Sequence, residues 1–353
     1  MSQQPEHPHL YDISKDQAAA ILAQLGQPRY RVDQLWDGLY TQHQEVPDIS
    51  NLPAGLRSEL ADRFTPAFEI TADQTGDNGL TRKWLFSSTD DGAQAETVLM
   101  RYQKRATVCV SSQAGCAMAC SFCATGQAGF ERHLRAGEIV EQVVIAARHS
   151  AQRVSNVVFM GMGEPLANVD AVAEALGRLH QDLGIGARHL TVSTIGVVPG
   201  ILALTDVDLP VTLAVSVHAG DDELRERLVP LQRRYPLGDV LEAAEEFRSR
   251  RGRRVTYEYA MIGGVNDTLD HARALAERLA PYGGHVNLIP YNPTPGLTAT
   301  ATPAHQIEKF AARLQAAGLT ATVRRNRGIG IDAACGQLRF RTKSSEVVLA
   351  PGG

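Results

Sequence analysis

The sequence predicts an α/β protein, a largely parallel sheet flanked by helices and preceded by a small helical domain. Three observations carry that prediction. Beyond residue 150, short β-rich runs alternate with amphipathic helical stretches, the pattern of strands joined by crossover helices. Ahead of them, from Ile13 to Phe64, apolar residues recur at helical spacing. Between the two lie β-rich runs punctuated by Asp, Asn and Gly.

The elements follow in order. SKDQAAAILAQLG has Ser14 as an N-cap and Gly26 as a stop, and RVDQLWDGLYTQ and NLPAGLRSELADRF repeat the helical period. TRKWLFSS, AETVLMRY and ATVCVSS are short strands separated by turn signals such as Asp77-Asn78-Gly79 and Asp90-Asp91-Gly92. The strands VSNVVFMG, HLTVST, VTLAVSVH, RVTYEYAMI, HVNLIP and TATVRR come next, with helices such as AGEIVEQVVIAARHS and VDAVAEALGRLHQDLG among them. Periodicity fits an open sheet and a closed barrel equally.

Composition bounds the setting. A chain of 353 residues, 44% of them apolar and 21% charged, can bury a sizeable core. The opening MSQQPEHPHLYDISKD is polar and does not resemble a secretory signal, and no run approaches the roughly 20 apolar residues of a membrane span. A cytoplasmic protein without membrane contact is expected. Thiols stay reduced there, so clustered cysteines bind metal or do redox chemistry rather than staple the fold. The net charge of -4 argues against coating nucleic acid through bulk positive charge. The arginines are nevertheless grouped: Arg248, Arg250, Arg251, Arg253 and Arg254; Arg324, Arg325 and Arg327; and Arg225, Arg227, Arg233 and Arg234. Converging on one side, these groups would form a phosphate-binding surface.

Ligands of parallel α/β sheets collect at the carboxyl ends of strands. Small and hydrogen-bonding residues stand there: Gly161-Met162-Gly163-Glu164-Pro165, Ser193-Thr194, His218 and Tyr291-Asn292-Pro293. Three of the five cysteines, Cys116, Cys120 and Cys123, are spaced C-x3-C-x2-C in a small-residue loop after the strand TVCVSS. A structural zinc site is closed by four ligands and would have to recruit a distant His or Cys335. A [4Fe-4S] cluster held by three thiolates instead leaves one iron open for a small molecule. The first reading makes the chain a zinc-stabilised, non-catalytic RNA-binding module; the second makes it an enzyme.

C-x3-C-x2-C followed by a GEP turn resembles the radical S-adenosylmethionine (SAM) enzymes. V-S-S-Q-A-G-C-A-M-A-C-S-F-C-A-T-G, G-M-G-E-P-L-x-N, S-V-H-A, L-I-P-Y-N-P, I-D-A-A-C-G-Q-L and the N-terminal R-x-D-Q-L-W-x-x-L-Y resemble the RlmN branch of the RlmN/Cfr RNA adenine methyltransferases. The resemblance spans essentially the whole chain. It implies a partial (βα)6 radical-SAM barrel at residues 107–340, a helical RNA-binding accessory domain at 1–66, a β-rich connector at 67–106 and a tail at 341–353. By the same resemblance Cys116, Cys120 and Cys123 hold a [4Fe-4S] cluster, and Gly163, Glu164, Ser193, Ser216, Val217, His218 and Asn292 bind SAM. Cys335 becomes the methyl-carrying cysteine, Cys109 its disulfide partner and Glu96 the acid-base carboxylate. Gly330 departs from the pattern, standing where the family often carries an acid.

The implied reaction methylates carbon 2 of an adenosine in 23S rRNA at the peptidyl-transferase centre, and of the adenosine 3' of the anticodon in some tRNAs. That carbon is electron-poor and does not attack a polar methyl donor, so a radical route is required. One SAM methylates Cys335, and a second yields a 5'-deoxyadenosyl radical that takes a hydrogen from the S-methyl group. The carbon radical adds to the ring; proton loss and a Cys109–Cys335 disulfide then release product. Cfr-type relatives share the five-cysteine plan yet methylate carbon 8, which spacing alone does not separate from carbon 2. A flavodoxin-type electron donor and a monomeric enzyme are expected. The arginine groups are expected to hold phosphates. Removing residues 1 to 90 is expected to abolish RNA binding while leaving the cluster intact.

Overall fold

The computed structural model describes residues 8–293, 299–324, 327–334 and 336–338; Cys335, Arg325 and the expected tail 341–353 lie outside them. The chain begins with α1 (Lys15–Gln24), α2 (Tyr30–Trp36) and α3 (Ala54–Arg63). The expected Ser14 cap is a full capping box: its hydroxyl accepts from Gln17 N at 3.2 Å, and the Gln17 side chain accepts the Ser14 N–H at 2.7 Å. Gly26 follows at φ +69°, the left-handed conformation that ends a helix cheaply only at glycine.

Next come β1 (Phe68–Gly76), β2 (Thr81–Ser88), β3 (Gln94–Arg101) and β4 (Ala106–Cys109), each antiparallel to the one before. The sequence reading missed β1. Its residues FEITADQTG are exposed after Phe68, because an edge strand outside the core needs no alternating apolar face. The two predicted turns fall between β1 and β2 and between β2 and β3, and Asp77 and Asn78 adopt left-handed conformations in the first. A small ribbon follows, β5 (Gln113–Gly115), α4 (Ala124–Ala128) and β6 (Phe130–His133), with the cysteine loop held between its two antiparallel strands.

The rest is α5 (Ala136–Arg148), β7 (Val154–Phe159), α6 (Val169–Gln181), β8 (Leu190–Thr194), α7 (Val198–Asp206), β9 (Thr212–Ser216), α8 (Asp222–Leu228), α9 (Leu237–Arg251), β10 (Thr256–Gly263), α10 (Leu269–Leu279), β11 (His285–Pro290), β12 (Thr300–Ala301), α11 (Ala304–Ala316) and β13 (Thr320–Val323). β4, β7, β8, β9, β10, β11 and β13 are parallel neighbours in that order, with β3, β2 and β1 continuing the sheet beyond β4. The first six of these parallel strands each lead into helix, so the fold is a partial (βα)6 barrel to which β13 adds a seventh strand. Strand residues such as Val157, Val192, Leu213 and Leu288 are fully buried.

One apolar core runs from Tyr11, Leu22, Trp36 and Tyr40 of the helical segment through Trp84 and Phe86 to Phe159, Phe247 and Phe310. Arg178 of α6 crosses the join: its guanidinium donates to the carbonyls of Tyr11 and Ile13 and to the Tyr40 hydroxyl. Trp36 Nε1 donates to Asp182 at 2.9 Å across the same seam. A cut at residue 90, expected to spare the remainder, would therefore strip two strands and the buried Trp84 and Phe86 from the main sheet.

The arginine groups do not converge. Arg225 is fully buried. Arg248, Arg250 and Arg251 end α9 just before β10 begins, at the amino ends of the strands, and are paired with Glu245, Asp206 and Asp208. Arg324 and Arg327 stand beside the strands' carboxyl ends and Arg225 is buried there, away from the Arg248–Arg251 group, because α/β connections put alternate chain segments at opposite ends of the sheet.

Arg178→Leu is expected to lower the unfolding free energy by about 3 kcal/mol, since buried carbonyls lose their donors. Urea denaturation followed by far-UV circular dichroism measures it. A single shifted transition is the expected form; separate transitions for the helical segment and the barrel would show that they fold independently.

Candidate functional site

Parallel pairing of β4 with β7 builds the site by continuing past the strand ends. Val110 N donates to Val158 O at 3.0 Å, Ser112 N to Met162 O at 2.9 Å, and Met162 N to the Ser111 hydroxyl at 2.9 Å. Glu164 N then reaches Gln113 Oε1 at 2.8 Å. This seam lays the Gly161–Pro165 turn beside the segment that enters the cysteine loop. Glycine is required in it: a Cβ on Gly161 would stand 2.6 Å from the Val110 carbonyl oxygen, and Gly163, at φ +99°, would meet Gln113 at 2.5 Å.

A cavity opens over the carboxyl ends of the strands. The cysteine loop walls one side with Cys116, Cys120 and Cys123, and the strand ends supply Gly163, Glu164, Ser193, Ser216, His218 and Asn292. Nine of the ten residues expected to hold cluster and SAM thus face one space, and Val217 is the exception. The Val217 side chain belongs to the apolar core, and only its backbone takes part, the N–H donating to Glu258 O at 3.0 Å.

The electrostatics of this space are those of uncompensated burial. Burial pushes the Cys116 thiol up to about 12, with Cys123 and Glu164 adding to the rise, and Cys120 rises for the same reasons. Such thiols ionise only against a bound cation or metal centre. Three thiols facing one cavity fit a [4Fe-4S] cluster that keeps one iron for a ligand, and among the described residues no tighter group of three or more His, Cys, Asp or Glu suits a single ion. Burial also raises Glu164 to about 7, against the N–H groups of Leu166 at 3.0 Å and Ile195 at 2.9 Å that its carboxylate accepts. His218 is pushed down to about 3 by burial and by Arg225. Its Nδ1 accepts from Ala260 N at 3.0 Å, so the neutral ring carries its proton on Nε2.

Arg225, read from the sequence as a surface residue, is instead the brace of the site. Its guanidinium donates to Ile195 O at 2.7 Å and Val217 O at 3.2 Å and to Gln232, fixing the exits of β8 and β9. Glu258 was missed too, and burial raises it. An acid set between the two tyrosines of the strand RVTYEYAMI was the available signal.

A second cavity adjoins the first, sharing Met160, Arg324 and Leu338. It holds Cys109, Val98, Met100, Tyr102, Arg327, Ala333 and Ala334. The neighbours of Cys335 in the chain divide between the two, Ala334 lining the second and Gly336 the first. The downstream side is pinned to α4, which follows the cysteines: Ala124 N donates to Gly336 O at 2.8 Å and the Thr125 hydroxyl to Leu338 O. Glu96 lines neither cavity. It is buried in β3 and ion-paired with Lys83 of β2 at 2.9 Å.

Residues 110–279 match the family model of the radical SAM superfamily. The chain is 50% identical over 351 residues to a protein of Parafrankia sp. named a probable dual-specificity RNA methyltransferase RlmN, covering 94% of this chain and 91% of that one. A protein of the same name from Mycolicibacterium paratuberculosis is 48% identical over 343 residues, covering 94% of each. The crystal structure of a radical SAM methyltransferase from Sphaerobacter thermophilus, 45% identical, superposes with a TM-score of 0.89 over 94% of this chain and 99% of that chain.

Raised Glu164 gives a pH signature. Between its ordinary 4.5 and about 7 the folded state binds more protons than the unfolded one, so stability falls as pH rises through that window. Glu141, also raised to about 7 by burial, adds a slope of the same sign, and His218, lowered to about 3, opposes both below 6.5. In ligand-free protein, Glu164→Gln is expected to reduce the stability lost between about pH 5 and pH 8 by on the order of 2 kcal/mol, leaving the Glu141 share. Urea titrations at both pH values measure it, and an unchanged loss would mean that Glu164 ionises without penalty.

Proposed function

Because this chain belongs to the RlmN family of radical SAM RNA methyltransferases, we propose that it methylates carbon 2 of an adenosine in 23S rRNA at the peptidyl-transferase centre and of the adenosine 3' of the anticodon in certain tRNAs. It is a radical SAM enzyme that uses a [4Fe-4S] cluster and SAM. When bound, the cluster supplies an electron to SAM and so opens a radical route to a carbon that polar methyl transfer does not reach.

The protein's own residues bind, orient and shield. Cys116, Cys120 and Cys123 are the thiols for the cluster, and Glu164, Ser193, Ser216, His218 and Asn292 face the space left for SAM. The His218 Nε2–H and the Glu164 carboxylate offer that ligand a donor and an acceptor. Cys335 carries the methyl group, Cys109 closes a disulfide with it to free the product, and Glu96, two residues along β3 from the cavity-lining Val98 and on the same face, takes the ring proton. The observation that carries this reading is the common wall of the two cavities. Cys109 lies in one, the cluster thiols lie in the other, and the chain on either side of Cys335 lines both.

RNA would enter at the second cavity. Its rim carries Tyr102 with two guanidinium groups over its ring, Arg327 at 4.3 Å and Arg105 at 4.9 Å from the ring centre. Such a rim suits an unstacked base and its phosphates, and carbon 2 is reachable only when the base leaves the stack. No helix among the described residues is long and apolar enough to cross a membrane. A cytoplasmic monomer served by a flavodoxin-type reductant, which returns the disulfide to thiols, completes the proposal.

Digested rRNA from cells expressing the protein is expected to contain C2-methyladenosine, which chromatography and mass spectrometry separate from the C8 isomer. Cys335→Ala, with iron and acid-labile sulfide content intact, is expected to lose RNA methylation by on the order of a thousandfold or more. A C8 product overturns the regiochemistry; normal turnover by Cys335→Ala overturns the methyl-carrier role.

A further inference from the structure

Lys83 is buried, and nothing in the reaction described so far uses it. It stands on β2 diagonally across from Glu96 on β3, the register pairing Lys83 with Val98 and Leu85 with Glu96. Its ammonium makes the 2.9 Å ion pair with Glu96 and also donates to the Asp332 carbonyl at 3.2 Å. Asp332 precedes Cys335 by three residues and holds a left-handed backbone, φ +49°, which a non-glycine residue keeps only when its surroundings fix it. The same segment is held from the surface side, where Asp77 accepts from Gly328 N at 2.8 Å and from the Thr81 hydroxyl at 2.6 Å.

A buried Lys–Glu pair is a poor way to stabilise a sheet, because desolvation cancels most of its attraction and an apolar pair of similar volume serves as well. The third contact gives this one a purpose. We propose that Lys83 is a positioning residue that clamps the loop leading to Cys335 onto the Glu96 carboxylate, presetting carrier thiol and base as one unit. The inference rests on the roles given above to Cys335 and Glu96. One ammonium contacts the Glu96 carboxylate and, at the same time, loop backbone three residues from the carrier. Glu96 is joined to the cluster side as well, since its carbonyl accepts the Ser111 hydroxyl at 2.6 Å.

The test uses the full-length enzyme with its cluster, comparing wild type, Lys83→Met and Lys83→Arg. In SAM-free protein, alkylation of Cys335 by iodoacetamide, read by peptide mass spectrometry, is expected to rise about tenfold in Lys83→Met as the loop opens and to stay near wild type in Lys83→Arg. For RNA methylation, kcat is expected to fall on the order of a hundredfold in Lys83→Met with KM for RNA within about threefold, and Lys83→Arg recovers most of the loss. Wild-type labelling or wild-type turnover by Lys83→Met overturns the clamp. Cys335→Ala and Glu96→Gln, assayed in parallel, separate the failures: if they too turn over normally the underlying reading is wrong, and if only Lys83→Met does, the clamp alone is wrong. Should Lys83→Met not accumulate folded, the double variant Lys83→Met/Glu96→Met removes the same loop contact without stranding a buried carboxylate, and its Cys335 labelling is compared with that of Glu96→Met alone. Labelling no higher in the double variant than in Glu96→Met overturns the proposal.

Discussion

The site depends on a seam of hydrogen bonds that carries the β4–β7 pairing beyond the ends of both strands. Parallel strands usually part at their carboxyl ends, and the gap receives the ligand. Here Val110, Ser111, Ser112 and Gln113 stay bonded to the chain from Val158 to Glu164. The cysteine loop is thereby delivered to the same side of the sheet as the glycine turn, and Gly161 and Gly163 allow the backbones to approach that closely. Whatever the thiols hold must therefore sit over the strand ends, within reach of β8, β9 and β11.

What the sequence made legible follows from what burial demands. Parallel strands buried on both faces read as apolar runs and the Ser14 cap reads locally, so most of the barrel and α1 could be placed without coordinates. β1 could not, because an exposed edge strand has no apolar face to betray it. The cysteine spacing and the strand-end motifs were visible as chemistry. Cys109, Cys335 and Glu96 took on meaning only through the family resemblance, since a lone thiol or a strand carboxylate has many ordinary uses.

The arginines show where such reading fails. Residue type and spacing in the chain do not say which way a side chain points or which end of the sheet it reaches. Arg225 looked like part of a solvated basic run and is a buried brace with carbonyl acceptors. Arg250 and Arg251 looked available for phosphate and are paired with Asp206 and Asp208 at the far end. The basic and aromatic rim that does stand beside the site, Arg105, Tyr102 and Arg327, is scattered through the sequence and assembled by the β3–β4 turn and the loop after β13.

Burial also explains how the first cavity chooses its contents. It encloses three thiols together with Glu164 and Glu258, all potential anions. Of the described lining residues Arg324 is the one whose side chain is always cationic, and it stands where the two cavities meet. Burial favours the protonated forms of Cys116, Cys120, Glu164 and Glu258. An iron centre and a ligand bearing sulfonium and ammonium charge would let those groups ionise and recover the electrostatic cost of burying them. An anionic RNA backbone gains nothing from such a lining and is better met at the arginine rim of the second cavity. On the proposed reading the charge pattern sorts reagent from substrate, and the residues on either side of Cys335 form the strip of chain that lines both cavities.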